Sequence, residues 1–269
     1  MQRVTCNQKQ GRFMAITLTI LGSGTAIPRP DRTASSNLVR VNDETIIIDL
    51  GPGALHRLAQ AGWSLNQVSQ ILITHFHNDH TSDLPAFLFA VRSPLVLAQR
   101  TPFNLIGPAG LEKFYLGLQA AWGKWVTLPE HLLHILELAN DKPSTTTFKN
   151  FTLTSAPVDH TPASLAYRIE DHQGTAVIFS GDTSYDPRLV ELSRHGDVLV
   201  CECSFPEGLA GEGHMTPSLA GRVAAEAGVK TLILNHFYPE CDGHDLLTPA
   251  RRAFSGEIIL AHDLMELSV

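Results

Sequence analysis

With 269 residues, 43% of them hydrophobic and 17% charged, the chain can bury a sizeable core, which excludes an intrinsically disordered protein. A formal net charge of -7 weighs against a general nucleic-acid binder, because neutralising phosphates takes a concentrated basic face. No apolar run approaches the roughly eighteen residues of a membrane span, so no transmembrane helix and no membrane partner are expected.

The first residues, MQRVTCNQKQGRF, lack the apolar stretch of a signal peptide. Residues 1–14 are expected to form a flexible tail, with Met14 as an alternative start. Ala15–Leu21 reads as a strand that runs into the turn Gly22-Ser23-Gly24. That turn is not a nucleotide fingerprint, since it lacks a third glycine and a helix directly behind it. Strands follow at Asn37–Val41 and Thr45–Asp49, separated by Asn42-Asp43-Glu44. A helix is expected from Gly53 to about Ala61, closed by Gly62, and then a strand at Gln70–Ile73.

Residues 84–148 carry Phe87, Phe89, Phe114, Tyr115, Trp122 and Trp125, expected mostly to pack helices onto the core, with part of the segment free to wall a pocket. His131 and His134 lie three apart on a helical pattern and read as a solvated helix face. The second half repeats the logic of the first. Strands are expected at Phe151–Ala156, Ser164–Glu170, Thr175–Phe179, Val198–Cys201, Thr231–Leu234 and Glu257–Leu260. Helices are expected at Pro187–Arg194, at Pro217–Ala227 between an N-cap at Thr216 and the closing Gly228, and near Pro249–Phe254. Two sheets face to face with helices outside would bury these runs, so the expected architecture is an α/β fold, an αββα four-layer sandwich with two similar halves, forming one domain over residues 15–269. Cys6, Cys201, Cys203 and Cys241 form no C-x-x-C pair and read as reduced packing residues of a cytoplasmic protein.

Metal-ligand residue types gather at strand ends. "THFHNDH" puts His75, His77, Asp79 and His80 directly after one strand; Asp159 and His160 follow another; Asp182 follows a third in "FSGDTS" and His236 a fourth in "LILNHF". Residues at the ends of several strands converge on one edge of a sheet, where clefts form. Imidazole and carboxylate suit Zn²⁺. His75 and His77, two apart in an extended turn, can share one ion, while Asp79 and His80 point elsewhere and invite a second. This is too many ligands for one tetrahedral ion but suits two ions bridged by a carboxylate and a water. His56, His172, His195 and His244 read as surface residues, whereas His262 follows the last strand and can approach the rim of the second metal.

"THFHNDH" resembles the H-x-H-x-D-H signature of the metallo-β-lactamase superfamily. "LGSGTAIPRPDRTASSNLV", "IIIDLGPG", "FSGDTS", "VCECSF", "GHMTPSLAG" and "LILNHF" resemble, in order, the motifs of its ribonuclease Z-like branch. The resemblance covers about Ile16 to the C-terminus and implies the same αββα sandwich. It implies that His75, His77 and His160 bind one metal, that Asp79, His80 and His236 bind the other, and that Asp182 bridges them. It further implies that Asp49 braces the histidine loop, and that His77, where members binding redox iron pairs often have glutamate, favours hydrolysis over oxygen chemistry; Asp79, His80 and His236 speak for two metals and against a single-iron dioxygenase.

The expected cofactor is two Zn²⁺, with Mn²⁺ or Fe as alternatives, and the expected nucleophile a metal-bridging hydroxide, because bound Zn²⁺ lowers the pKa of water towards about 7. His214 in "EGHMTP" is the candidate general acid, oriented by Glu202 of "CECSF", and Asp79 a secondary candidate base. A proton donor points to esters with poor leaving groups. His160 and Asp182 enclose only a two-strand hairpin, without the long arm of many tRNA-processing members, and "HFYPECD" replaces the branch's phosphate-contacting stretch. A phosphodiesterase acting on a small or cyclic phosphodiester is therefore expected. The alternatives are a tRNA 3′-processing endoribonuclease with RNA as partner and an arylsulfatase- or lactonase-type ester hydrolase; a homodimer would follow the branch's habit.

Overall fold

Alternation of period two sends successive side chains of the first strands into two different cores. Ile46 and Ile48 enter one core while Ile47, between them, enters the other; Leu72 parts in the same way from Ile71 and Ile73. The computed structural model describes residues 16–209 and 211–269, so the expected tail, with Met14 and Cys6, lies outside the described residues.

In chain order the strands of the first half are β1 (Ile16–Gly22), β2 (Ser36–Val41), β3 (Glu44–Ile48), β4 (Gln70–Leu72), β5 (Phe103–Pro108) and β6 (Leu133–Leu138). The helices among them are α1 (Ala54–Gln60), α2 (Asn78–Thr81), α3 (Leu84–Val91), α4 (Pro94–Leu97) and α5 (Leu111–Trp122). The second half brings β7 (Ser144–Thr147), β8 (Phe151–Pro157), β9 (Leu165–Asp171), β10 (Ala176–Phe179), α6 (Pro187–Ser193), β11 (Val198–Glu202), α7 (Pro217–Ala227), β12 (Thr231–Asn235), α8 (Leu247–Ala253), β13 (Glu257–Leu260) and β14 (Met265–Ser268). α7 starts with Pro217 after the N-cap Thr216 and ends at Gly228 in the left-handed conformation, as its sequence signals require. None of the described helices is long and apolar enough to cross a membrane.

Among the described residues there are two seven-stranded sheets, ordered β14-β1-β2-β3-β4-β5-β6 and β7-β8-β9-β10-β11-β12-β13. Each has the same grammar: three antiparallel pairings followed by three parallel ones. Only β14 breaks the division, returning from the second half to pair with β1. Between the sheets lies one core, with Ile16, Leu18 and Ile20 from the first sheet and Leu153, Tyr167 and Phe179 from the second. A second core joins the outer face of the first sheet to α1, α3 and α5 through Leu58, Phe87, Leu88 and Tyr115. Helices α6, α7 and α8 cover the second sheet. This is the αββα sandwich.

Three expectations need correction. Residues 84–148 contain β5 and β6, whose modest apolar runs take their strand character from pairing in parallel with β4 and each other. His134 is on β6 opposite Asn104, and His131 lies in the turn before it, so no helix carries them. Of the segment's aromatics, Phe87 and Tyr115 are buried, whereas Phe89, Trp122 and Trp125 are about half exposed.

Candidate metal centre

Loops at the carboxyl ends of the strands bring the candidate ligands to one edge. His75 and His77 lie in the loop after β4, Asp79 and His80 on α2, His160 after β8, Asp182 after β10 and His236 after β12. They form two groups. In one, His77 Nδ1 lies 3.0 Å from His75 Nε2 and 3.1 Å from His160 Nε2. In the other, His80 Nε2 and His236 Nε2 are 3.3 Å apart, with Asp79 Oδ2 3.9 and 3.6 Å from them. Asp182 stands between the groups. Its Oδ2 is 3.7 and 3.9 Å from His75 and His160, and its Oδ1 is 3.3 and 3.4 Å from His80 and His236. Donor atoms within each group, Asp182 counted with the first, lie within 4.8 Å of one another.

The outward nitrogens explain how these rings are aimed. His80 Nδ1–H donates to Asp49 Oδ2 at 2.7 Å and His160 Nδ1–H to the Gly213 carbonyl at 3.0 Å. His75 Nδ1 is 3.0 Å from Thr74 Oγ1, whose hydroxyl donates on to Asp49; His236 Nδ1 is 3.0 Å from Ser204 Oγ, whose hydroxyl donates on to Glu202. Two hydroxyl relays thus tie two rings to two buried carboxylates. With Nδ1 the outward donor in all four, each Nε2 is turned inwards, where a metal-binding histidine offers its lone pair. The donor set, neutral imidazoles with carboxylates, fits borderline divalent ions.

Electrostatics agree with this arrangement. Burial, aided by neighbouring imidazoles, holds His75 well below the ordinary histidine value, and burial also lowers His160. Burial works against ionised Asp79, yet His236 and His80 hold its carboxyl at about 2. Burial opposes charge on His80 as well, but Asp182 and Asp49 outweigh it and raise its pKa. Asp182 is pressed the other way: burial disfavours its charge, and His236 and His80 lower it well below the carboxylate range. Asp49 and His236 both have positive φ, 64° and 61°, a conformation other residues avoid and functional sites often hold.

His214, in the loop before α7, donates from Nδ1 to Glu202 Oε1 at 3.0 Å. Glu202 is buried and also accepts from the Thr183 and Met215 backbone N–H groups and from Ser204. Burial pulls the His214 pKa down, but the hydrogen bond and charge of Glu202 raise it above the ordinary value, with Asp182 and Asp79 adding. A ring nitrogen of His214 lies within 4.8 Å of ligand atoms of Asp182 and His236, and a rim is formed beside it by the stacked rings of Phe205 and Tyr238, 5.0 Å apart.

Asp159 is exposed and bonded to Ser184, outside both groups. The ring of His262 is turned to the Asp263 carbonyl and joins neither group. Thr74 and Ser204 were not singled out in the sequence. A hydroxyl beside a ligand motif is too common a feature to announce a relay, because each closes only through a residue far along the chain, Thr74 through Asp49 and Ser204 through His236.

The family model described as a beta-lactamase superfamily domain matches residues 44–237. A Ribonuclease Z of Mycobacterium marinum is 29% identical, over 94% of this chain and 99% of its own length. Among solved structures, the metallo-beta-lactamase fold protein YhfI of Bacillus subtilis is 24% identical with a TM-score of 0.79, covering 94% of this chain and 98% of that one. The short form of human tRNase Z is 23% identical with a TM-score of 0.78, covering 94% and 99%.

Proposed function

The chain belongs to the beta-lactamase superfamily domain family and is a metal-dependent hydrolase, and from that premise we propose that it is a dinuclear zinc phosphodiesterase acting on small or cyclic phosphodiesters. The observation that carries this reading is the placement of Asp182, one oxygen turned to each ligand group. His75, His77 and His160 would hold one ion, Asp79, His80 and His236 the other, and Asp182 would bridge. A complete second group favours two ions over the single iron of a dioxygenase. When bound, the ions supply Lewis acidity and an activated water.

The chain's own residues do the rest. Asp49 and Thr74 fix His80 and His75, and Ser204 fixes His236. His214, kept protonated by Glu202, gives the proton to the leaving oxygen as its bond to phosphorus breaks, and Glu202 stays a carboxylate that holds the resulting neutral ring. Asp79, its carboxylate turned to His80 and His236, is assigned first to metal binding, and a metal-bound carboxylate makes a poor base, so a base role ranks second. The compact β9–β10 hairpin between His160 and Asp182, turning at Gly174, supports a small substrate. A second reading, tRNA 3′ processing, is favoured by the relative named Ribonuclease Z that aligns over nearly the whole chain.

One panel separates them. The zinc- and manganese-loaded protein, its metal content measured, is assayed on bis(p-nitrophenyl) phosphate, 2′,3′- and 3′,5′-cyclic nucleotides, an aryl sulfate, a lactone and a precursor tRNA. Two ions per chain and fastest turnover of a cyclic or small phosphodiester are expected. Preferred cleavage of the precursor tRNA would replace the first reading with the second, and one iron with oxygen uptake would remove both.

A further inference from the structure

The geometry points to Asp263 as a positioning residue for the group formed by Asp79, His80 and His236, an inference that rests on the two-metal reading above. Asp263 follows β13, and its side chain is 5% exposed. Its carboxylate collects five donors. Oδ1 accepts from the backbone N–H and the hydroxyl of Ser23 at 2.9 and 2.8 Å. Oδ2 accepts from the backbone N–H and the hydroxyl of Thr33 at 2.8 and 3.1 Å, and from Arg57 Nε at 2.9 Å. All these partners lie more than two hundred positions away in sequence. Charge-assisted bonds of this kind are the strong ones.

What they fasten is the neighbour of a ligand. The Ser23 carbonyl accepts from the backbone N–H of Phe237 at 3.0 Å. Arg32 lies 4.8 Å over the Phe237 ring and donates to Ser23 Oγ at 2.6 Å and to the Ala261 carbonyl at 2.8 Å. Phe237 is thus held by its backbone and its ring, both through the turn that Asp263 pins. Gly22 permits the arrangement, since a Cβ there would stand 1.9 Å from the Ala34 carbonyl oxygen.

His236 needs such a clamp. Its left-handed φ of 61° is strained for a non-glycine residue and persists only where the surroundings over-determine it. Ser204 fixes the ring, and the Asp263–Ser23–Phe237 chain of contacts fixes the backbone that follows it. The turn that is not a nucleotide fingerprint and the segment after the last predicted strand therefore serve one purpose.

Zn²⁺ affinity of the full chain, measured by chelator competition, tests this. In a His160→Ala background, which keeps the second group whole, D263N and R32M should each weaken binding about tenfold or more, while in a His236→Ala background neither should change it beyond about twofold. The pair separates positioning from simple charge: removing a negative charge weakens cation binding by Coulomb's law, but removing the positive Arg32 strengthens it. Stronger or unchanged binding in R32M, or equal losses in both backgrounds, would overturn the inference, and R32M carries the test should D263N fail to fold. A wild-type chain that takes up one ion would instead overturn the two-metal reading, and this inference with it.

Discussion

At the scale of the residue, His214 and Glu202 form the pair whose role is most open to experiment. Removing a general acid costs about 10²–10⁴-fold where the leaving group must be protonated, and much less where it leaves unaided. His214→Ala should therefore lose turnover of an alkyl phosphodiester while largely keeping that of bis(p-nitrophenyl) phosphate; equal losses on both would rule out the acid role. Glu202 raises the His214 pKa, so the protonated form persists further into alkaline pH. Glu202→Gln should accordingly move the alkaline limb of the kcat profile to lower pH. A limb that stays where it was would mean that another group donates the proton.

At the scale of the element, the site depends on loops that a sequence reading treats as connectors. Gly213 shows how tightly two of them meet. Its φ is 75°, and a Cβ there would lie 2.8 Å from His160 Nδ1, the atom its own carbonyl accepts from. Gly213→Ala combines a clash with backbone strain of about 1–3 kcal/mol. It should lower the melting temperature and weaken the ion held by His160 more than the one held by His236. Equal metal retention at both would show that the loop yields without moving the ligand. The strand-end motifs themselves were legible beforehand, because a run such as Ile71-Leu72-Ile73 followed by four ligand-type residues is rare in any connector. β5 and β6 were not, because their strand character comes from pairing, β5 with β4 and the two with each other, and not from their own alternation.

At the scale of the whole molecule, both ligand groups straddle the two halves: His75, His77, Asp79 and His80 come from the first, and His160, Asp182 and His236 from the second. Ions held there would act as cross-links between the sheets, and ligands that bind only the folded state add stability of about 2.7 kcal/mol at a hundred times Kd. Chelation should lower the melting temperature, and the loss should be reversed by Zn²⁺. Protons oppose the ions at the same atoms. With its pKa raised by Asp182 and Asp49, His80 must give up a proton when a cation binds Nε2, so affinity should fall as pH drops below that value. Affinity that is flat across neutral pH would argue against His80 as a ligand.

The sequence by itself determined the sandwich, the edge on which the site lies and the identity of the candidate ligands, because apolar periodicity repeats in both halves and ligand-type residues at strand ends are a local signal. Only the tertiary structure decided which atoms face one another. The two faces of Asp182, the relays of Thr74 to Asp49 and of Ser204 to His236, and the five donors gathered by Asp263 all join residues distant along the chain. Such contacts follow from sheet register and loop closure, and neither can be read from the residues on one side alone.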